Sequence, residues 1–167
     1  MELRGTRVIL TKVGMEAASE LLPAFNGDEQ FNEWCGYASG LTLARVQADI
    51  QGTLDLPGGA IWRITDTTNT LVGVAETALI PSPHTGWIAL LIIMHEFQGR
   101  GYGSEVAAQL EQHLFSYPQI TQIGLGVLVQ NAPAMAFWEK RGYVRGERRR
   151  DTEGDDVYEY HLMGVLQ

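Results

Sequence analysis

Leu91-Ile92-Ile93-Met94-His95-Glu96-Phe97-Gln98-Gly99-Arg100-Gly101-Tyr102-Gly103-Ser104 decides how this 167-residue chain is read. Trp87 to Met94 is apolar throughout and reads as a strand covered on both faces. Three alternating glycines follow, and a helix is expected from 103 to 116 with Val106, Ala107, Leu110 and Leu114 inward. Glycine lets the backbone reach φ > 0 and come close to a ligand. The unpaired N–H groups of the first helical turn point to the same place, where the helix dipole favours an anion. Arg100 adds a full positive charge. The stretch therefore predicts a phosphate or pyrophosphate site.

Upstream, residues 7–13 are rich in β-branched side chains and read as a strand. A helix from 15 to 25 follows, its last turn weakened by Pro23. Residues 26–41 hold several glycines and read as an irregular loop with room for a short turn of helix, long enough to suspect function. Thr42 caps a second helix, with Leu43, Val46, Ile50 and Leu54 at helical spacing. Strands at 60–65 and 71–80 are joined by the turn Asp66-Thr67-Thr68-Asn69, and Pro81-Ser82-Pro83-His84-Thr85-Gly86 leads into the run at 87–94. Downstream come a strand at 123–129, a helix capped by Asn131 and stopped by Gly142, and a hairpin of 143–150 with 156–163. Strands first meander and then alternate with helices, which gives a mixed-sheet α/β or α+β domain.

Acids outnumber bases by 20 to 12, a net charge of −8, which argues against a nucleic-acid backbone or an anionic membrane surface as partner. Hydrophobic residues make up 45% of the chain, enough to fold without disulfides or metals. The lone Cys35 has no partner for a bridge, which fits a reducing, cytoplasmic setting. The first residues carry no apolar signal segment, and the longest apolar run is too short to span a bilayer. The four histidines lack metal-ligand spacing, so no metal is expected.

Three phosphate-binding patterns compete for the glycine turn. A Walker loop needs a lysine that the turn lacks. A dinucleotide fingerprint would place Ser104 at its third glycine and needs an acid about twenty residues on, where Thr121-Gln122 stand. The pattern Gln/Arg-x-x-Gly-x-Gly/Ala is met at every defined position by Gln98 to Gly103. This resembles the acetyl-CoA-binding signature of GNAT-type N-acetyltransferases. About thirty residues later, Asn131-Ala132-Pro133-Ala134-Met135-Ala136-Phe137-Trp138-Glu139-Lys140-Arg141-Gly142-Tyr143 resembles the second signature of that family. The order of elements from residue 7 to 163 is also similar. The opening Arg7-Val8-Ile9-Leu10 is similar to the start of N-terminal alanine acetyltransferases, but is too short to set a substrate.

The resemblance implies a single domain over 1–167. Its twisted, mostly antiparallel sheet would have about seven strands, with a splayed parallel pair at the cofactor site and about four helices. It implies that acetyl-CoA donates an acetyl group directly to a primary amine, on a small molecule or a peptide, in a ternary complex. The backbone of Leu91, Ile92 and Ile93 would pair with the pantetheine arm, and one N–H would polarise the thioester carbonyl. The turn Gln98, Gly99, Arg100, Gly101, Tyr102, Gly103 and Ser104 would hold the pyrophosphate. Asn131 would sit beside the pantetheine, with Ala134 and Phe137 on the cofactor wall. Trp34 and Tyr37 of the 26–41 loop, and Trp87, are expected at the acceptor. The acids Asp28, Glu29 and Glu33 of that loop would suit a cationic acceptor. A homodimer stays open.

The sequence departs from the family pattern at the catalytic positions. Where relatives carry an acidic tyrosine this chain has Trp138, whose indole N–H donates a hydrogen bond but does not give up its proton. Where relatives place a glutamate stand Trp87 and Gly126. Glu76 is the remaining internal carboxylate and the candidate base, and Tyr143 is a candidate acid. Two rivals follow: an acyl-CoA-binding module without turnover, and a nucleotide-binding protein using the same turn. The cationic run from Lys140 to Arg150, followed by Asp151, Glu153, Asp155 and Asp156, reads as the solvent face of a hairpin. Phosphate contacts or an acidic acceptor are its other readings.

Overall fold

The computed structural model describes residues 1–80 and 84–165. The expected turn residues Pro81, Ser82 and Pro83 lie outside them. Eight strands form one sheet: β1 (Glu2–Arg4), β2 (Val8–Val13), β3 (Ala60–Asp66), β4 (Leu71–Ile80), β5 (Thr85–Ile93), β6 (Gln122–Leu128), β7 (Val144–Arg150) and β8 (Asp156–Met163). Five helices accompany it: α1 (Ala18–Phe25), α2 (Glu29–Trp34), α3 (Leu43–Leu54), α4 (Tyr102–Phe115) and α5 (Ala132–Lys140). The strand order is β1-β2-β3-β4-β5-β6-β8-β7, antiparallel throughout except for the parallel pair β5–β6.

The period-2 alternation of the strands sends neighbouring residues to opposite faces. Ile61, Val74 and Ile92 pack with Leu21, Phe25, Val46 and Ile50 under α1 and α3. Their neighbours Trp62, Ala75 and Ile93 pack on the other face with Val106, Leu110 and Leu114 of α4 and with Trp138 of α5. Thr42 caps α3 by accepting from the Arg45 N–H at 3.1 Å, and Asn131 caps α5 by accepting from the Ala134 N–H at 3.2 Å.

Two expectations, the strand count and the covering of β5, need correction. The sheet has eight strands, because the three-residue β1 adds to β2 through Leu3 and Leu10. Within the 26–41 loop the short turn of helix is α2. Asp28 caps α2 by accepting from the Phe31 N–H at 3.1 Å, and six residues are too few to show a helical apolar stripe. Strand β5 is not covered on both faces along its length: Ala89 is exposed, and Leu90 and Leu91 are half-buried. The reason is its pairing. β5 meets β6 only at Thr85–Gln122, Gly86–Ile123 and Trp87–Gly124, and then the two strands diverge. Trp87 packs directly on Gly124, where a Cβ would lie 2.7 Å from the indole ring.

Candidate active site

A cleft of about 1340 Å³ opens where β5 and β6 part. Past Trp87, β5 is bonded only to β4, and a bulge at Ala89 leaves that residue without a partner between Ile88–Thr77 and Leu90–Glu76. The edge of β5 beyond this point and the facing edge of β6 line the cleft. One of the free groups on the β5 edge is already used: Gln98 Nε2 donates to the Ile93 carbonyl at 2.8 Å and to Asp28 Oδ2 at 3.1 Å.

At one end of the cleft lies the glycine turn. Gly99 and Gly101 have φ of 77° and 82°, so the chain can double back directly into α4. The backbone N–H groups of Gly99, Arg100, Gly101, Tyr102, Gly103 and Ser104 find no acceptor among the described residues. Six consecutive free donors at the start of a fourteen-residue helix form a concavity of the kind that suits an anion. Arg7 pins the turn from behind. Its guanidinium donates to the Arg100 carbonyl and to Glu105 Oε2, and lies 5.5 Å from the centre of the Tyr102 ring.

The other end is acidic. Glu76 of β4 is only 5% exposed, and its carboxyl lines the cleft. Thr53 donates its hydroxyl to Oε2, while Oε1 accepts nothing among the described residues. Burial, reinforced by the negative charge of Asp49, pushes the Glu76 carboxyl up to about 7, the Thr53 hydrogen bond opposing this. Arg45, Asp49 and Thr53 recur every fourth residue on α3 and present a polar stripe to the cleft. The β7–β8 turn folds over this stripe: Arg45 Nη2 donates to Glu153 Oε2 at 2.7 Å, and Asp151 and Asp155 line the same wall. Cys35 is half-buried there, and burial together with Asp155, Asp151 and Glu153 pushes its thiol up to about 12, so it stays protonated.

Leu91, Ile92, Ile93, Gln98, Gly99, Gly101, Tyr102, Gly103, Ser104, Asn131, Ala134 and Phe137 all line this one cleft, with Glu76, Trp138, Tyr37 and Trp87. Arg100, Trp34 and Tyr143 are not brought to it. Arg100 turns back to donate to the Glu96 carbonyl at 3.0 Å and lies over the Phe97 ring. Trp34 ends α2, half-buried. Tyr143 is buried and donates to Glu111 Oε1 at 3.2 Å, and burial beside that carboxylate pushes its phenol well above the usual range. Trp138 sits edge-on between the Phe137 and Tyr143 rings, at 4.8 and 5.0 Å. Of the loop acids, Asp28 reaches the cleft, whereas Glu29 and Glu33 are exposed. The arginines of the 140–150 run pair with acids, Arg141 with Glu111, Arg148 with Asp156 and Arg149 with Glu159.

Sequence reading missed Arg45, Asp49, Thr53 and the inward-facing hairpin turn. The α3 stripe had a signal, the i, i+4, i+8 polar row running beside the apolar face of Val46 and Ile50. The hairpin turn had none, because its contact with α3 joins residues 108 positions apart.

The sequence profile of the acetyltransferase (GNAT) family matches residues 21–143. The chain belongs to this family. No curated protein matches this GNAT chain in sequence. Among solved structures, an acetyltransferase from Salmonella typhimurium that modifies the N-terminal serine of a 50S ribosomal subunit protein superposes with a TM-score of 0.80. It shares 18% identity over 99% of this chain and 100% of that one. An aminoglycoside acetyltransferase in complex with coenzyme A gives 0.74, with 22% identity over 93% and 94%. The spermidine N-acetyltransferase of Vibrio cholerae, in complex with CoA and spermine, gives 0.75, with 15% identity over 95% and 96%. At these identities the likeness concerns the fold. No helix of the described residues is long and apolar enough to cross a membrane.

Proposed function

We propose that this GNAT protein transfers an acetyl group from acetyl-CoA to a primary amine by direct attack in a ternary complex. The observation that carries the reading is the row of six free N–H groups, Gly99 to Ser104, standing at the mouth of two diverging strands. Such a concavity suits a pyrophosphate, and the free β5 edge suits an extended amide-bearing arm laid along it like a strand. Asn131 keeps its side-chain N–H₂ for a ligand while its oxygen caps α5. Family membership supports the donor, and two of the superposed proteins were crystallised with coenzyme A.

An alkylamine is protonated at neutral pH, with a pKa near 10.4, and only its neutral form attacks. Glu76, poised at about 7 beside the diverging strands, is the group suited to take that proton directly or through one water. Thr53 holds its carboxyl in place. The amine nitrogen then bonds to the acetyl carbon, the carbon–sulfur bond breaks, and an N–H of β5 stabilises the oxyanion. Neither Trp138 nor Tyr143 supplies a proton to the thiolate in this scheme: one has no labile proton, the other is tied to Glu111 outside the cleft. The nitrogen's second proton passes to water as the amide forms, and the leaving thiolate takes its proton from water, so the net release is the proton first taken by Glu76.

That missing acid favours a second reading, a module that binds acyl-CoA without turning it over. Thiol release with a panel of peptides, polyamines, amino acids and aminoglycosides separates the two. Saturable, amine-dependent release is expected. Binding of acetyl-CoA without release by any amine would support the module, and thermal stabilisation by NAD or ATP but not acetyl-CoA would overturn both.

A further inference from the structure

The arginine that the glycine turn carries in its own sequence does not face the cleft, since Arg100 folds back onto Glu96 and Phe97. Among the described residues, the arginines that line the cleft, Arg45 and Arg149, are bonded to Glu153 and Glu159 of the β7–β8 hairpin. A phosphate on the turn is therefore met by neutral amides, and its hold depends on how they are aimed. Behind them stands Arg7, just before β2 and 93 residues ahead of Arg100. Its Nη1 donates to the Arg100 carbonyl and its Nε to Glu105 Oε2 at 3.1 Å, while Nη2 lies 2.8 Å from where a Cβ of Gly101 would stand. Helix α4 closes the bracket. Glu105, in its first turn, also accepts from the N–H groups of Arg7 and Val8, and its own N–H bonds the Gly101 carbonyl at 3.3 Å. Burial pushes the Glu105 carboxyl up, but these N–H groups and the Arg7 side chain outweigh it and hold the carboxyl below its ordinary value. An ionised carboxylate at that helix start would repel a phosphate, and the Arg7 guanidinium neutralises it.

We propose that Arg7 is a positioning residue of the donor site: by holding the Arg100 carbonyl it braces the Gly101 N–H toward the pyrophosphate, without touching the ligand itself. The inference rests on the reading of the turn as the acetyl-CoA site. In a trans peptide the carbonyl of one residue and the N–H of the next share a plane and point in opposite directions. A carbonyl fixed from behind therefore fixes the N–H in front. The glycines and the helix start aim the row, and Arg7 keeps that aim when a doubly charged ligand pulls on it. A charged donor on the carbonyl also polarises the peptide and strengthens its N–H. The Arg7 side chain is half exposed and does not line the cleft, so its substitution leaves the cleft walls in place. The arginine of Arg7-Val8-Ile9-Leu10 thus serves the donor end. The likeness of that opening to N-terminal alanine acetyltransferases carries no information about the acceptor of this chain.

The test compares, by calorimetry, the Kd of coenzyme A with that of pantetheine, which has the same arm without the pyrophosphate. Arg7→Gln should weaken coenzyme A about tenfold or more, the scale of a lost charged hydrogen bond, and pantetheine less than twofold. Arg7→Lys keeps the charge but lacks the planar fork that reaches the carbonyl and Glu105 together, and should fall between Arg7→Gln and the native protein. An equal loss for both ligands, the mark of general structural damage, would overturn the inference. So would an unchanged affinity in Arg7→Gln, or a native affinity in Arg7→Lys, which would assign the effect to charge alone. These three results leave the donor reading intact, because the native protein still binds through the pyrophosphate. A native protein that binds coenzyme A no more tightly than pantetheine would overturn the donor reading and the inference together.

Discussion

The anion-facing end of the cleft is built from one continuous piece of backbone, Gly99 to Ser104, whereas the acidic end is built from side chains of α3, β4 and the β7–β8 turn. The first is rigid by construction, since two positive-φ glycines and a helix start leave the N–H groups one direction to point. The second depends on long-range contacts and on charges that repel one another, so substitutions there change which ligand is favoured. The same fold thus sets a row of backbone N–H groups fixed by local geometry beside an acidic wall assembled from distant side chains.

The comparison can be broken most sharply at the backbone end. Gly101→Val puts a β-branched residue at φ 82° and a Cβ 2.8 Å from Arg7 Nη2, and strain of this kind costs about 1–3 kcal/mol. Acetyl-CoA affinity, measured by calorimetry, should fall on the order of a hundredfold. An unchanged affinity would mean that the pyrophosphate does not sit on this turn.

The next effect is at the acidic end. Glu76→Gln should lower kcat by roughly a hundredfold, the scale of a lost general base, with acetyl-CoA affinity unchanged. In the native protein the rate should rise with pH through about 7, because Glu76 must be ionised to accept a proton. A profile flat between pH 6 and 8 would remove Glu76 from that role.

A smaller effect appears in stability. The folded-state pKa of Glu76 lies above its ordinary 4.5, so the folded protein binds the extra proton between these values. The favourable contribution is full below 4.5 and is lost as pH rises through 7, on the order of 3 kcal/mol at 1.36 kcal/mol per unit. Glu76→Gln should therefore raise Tm at pH 8 by several degrees and leave it nearly unchanged at pH 5. Smallest of all, Trp138→Phe should change kcat/KM less than threefold, since the indole is packed between two rings and serves as filler.

What the sequence revealed follows the same division. The glycine turn, α4, the Asn131 cap and the Thr42 cap were legible because each is decided by residues within a few positions of one another. The three-residue β1 and six-residue α2 were too short to show a period. The exposure of Ala89 and Leu91 could not be read from an apolar run, because it follows from where β6 stops pairing. Glu76 was legible as an internal carboxylate, but not its approach to Thr53 and Asp49, which the packing of α3 creates, nor the bond from Arg45 to Glu153, which the folding-over of the hairpin creates.

The parting of β5 and β6 also has a mechanical side. Three residue pairs, ending where the Trp87 ring rests on Gly124, are the seam between a five-stranded slab and a three-stranded one. With the ladder so short, the two slabs are held together by α4, which packs on both β5 and β6. The width of the gap is therefore set by the seat of a helix and not by a hydrogen-bonded ladder.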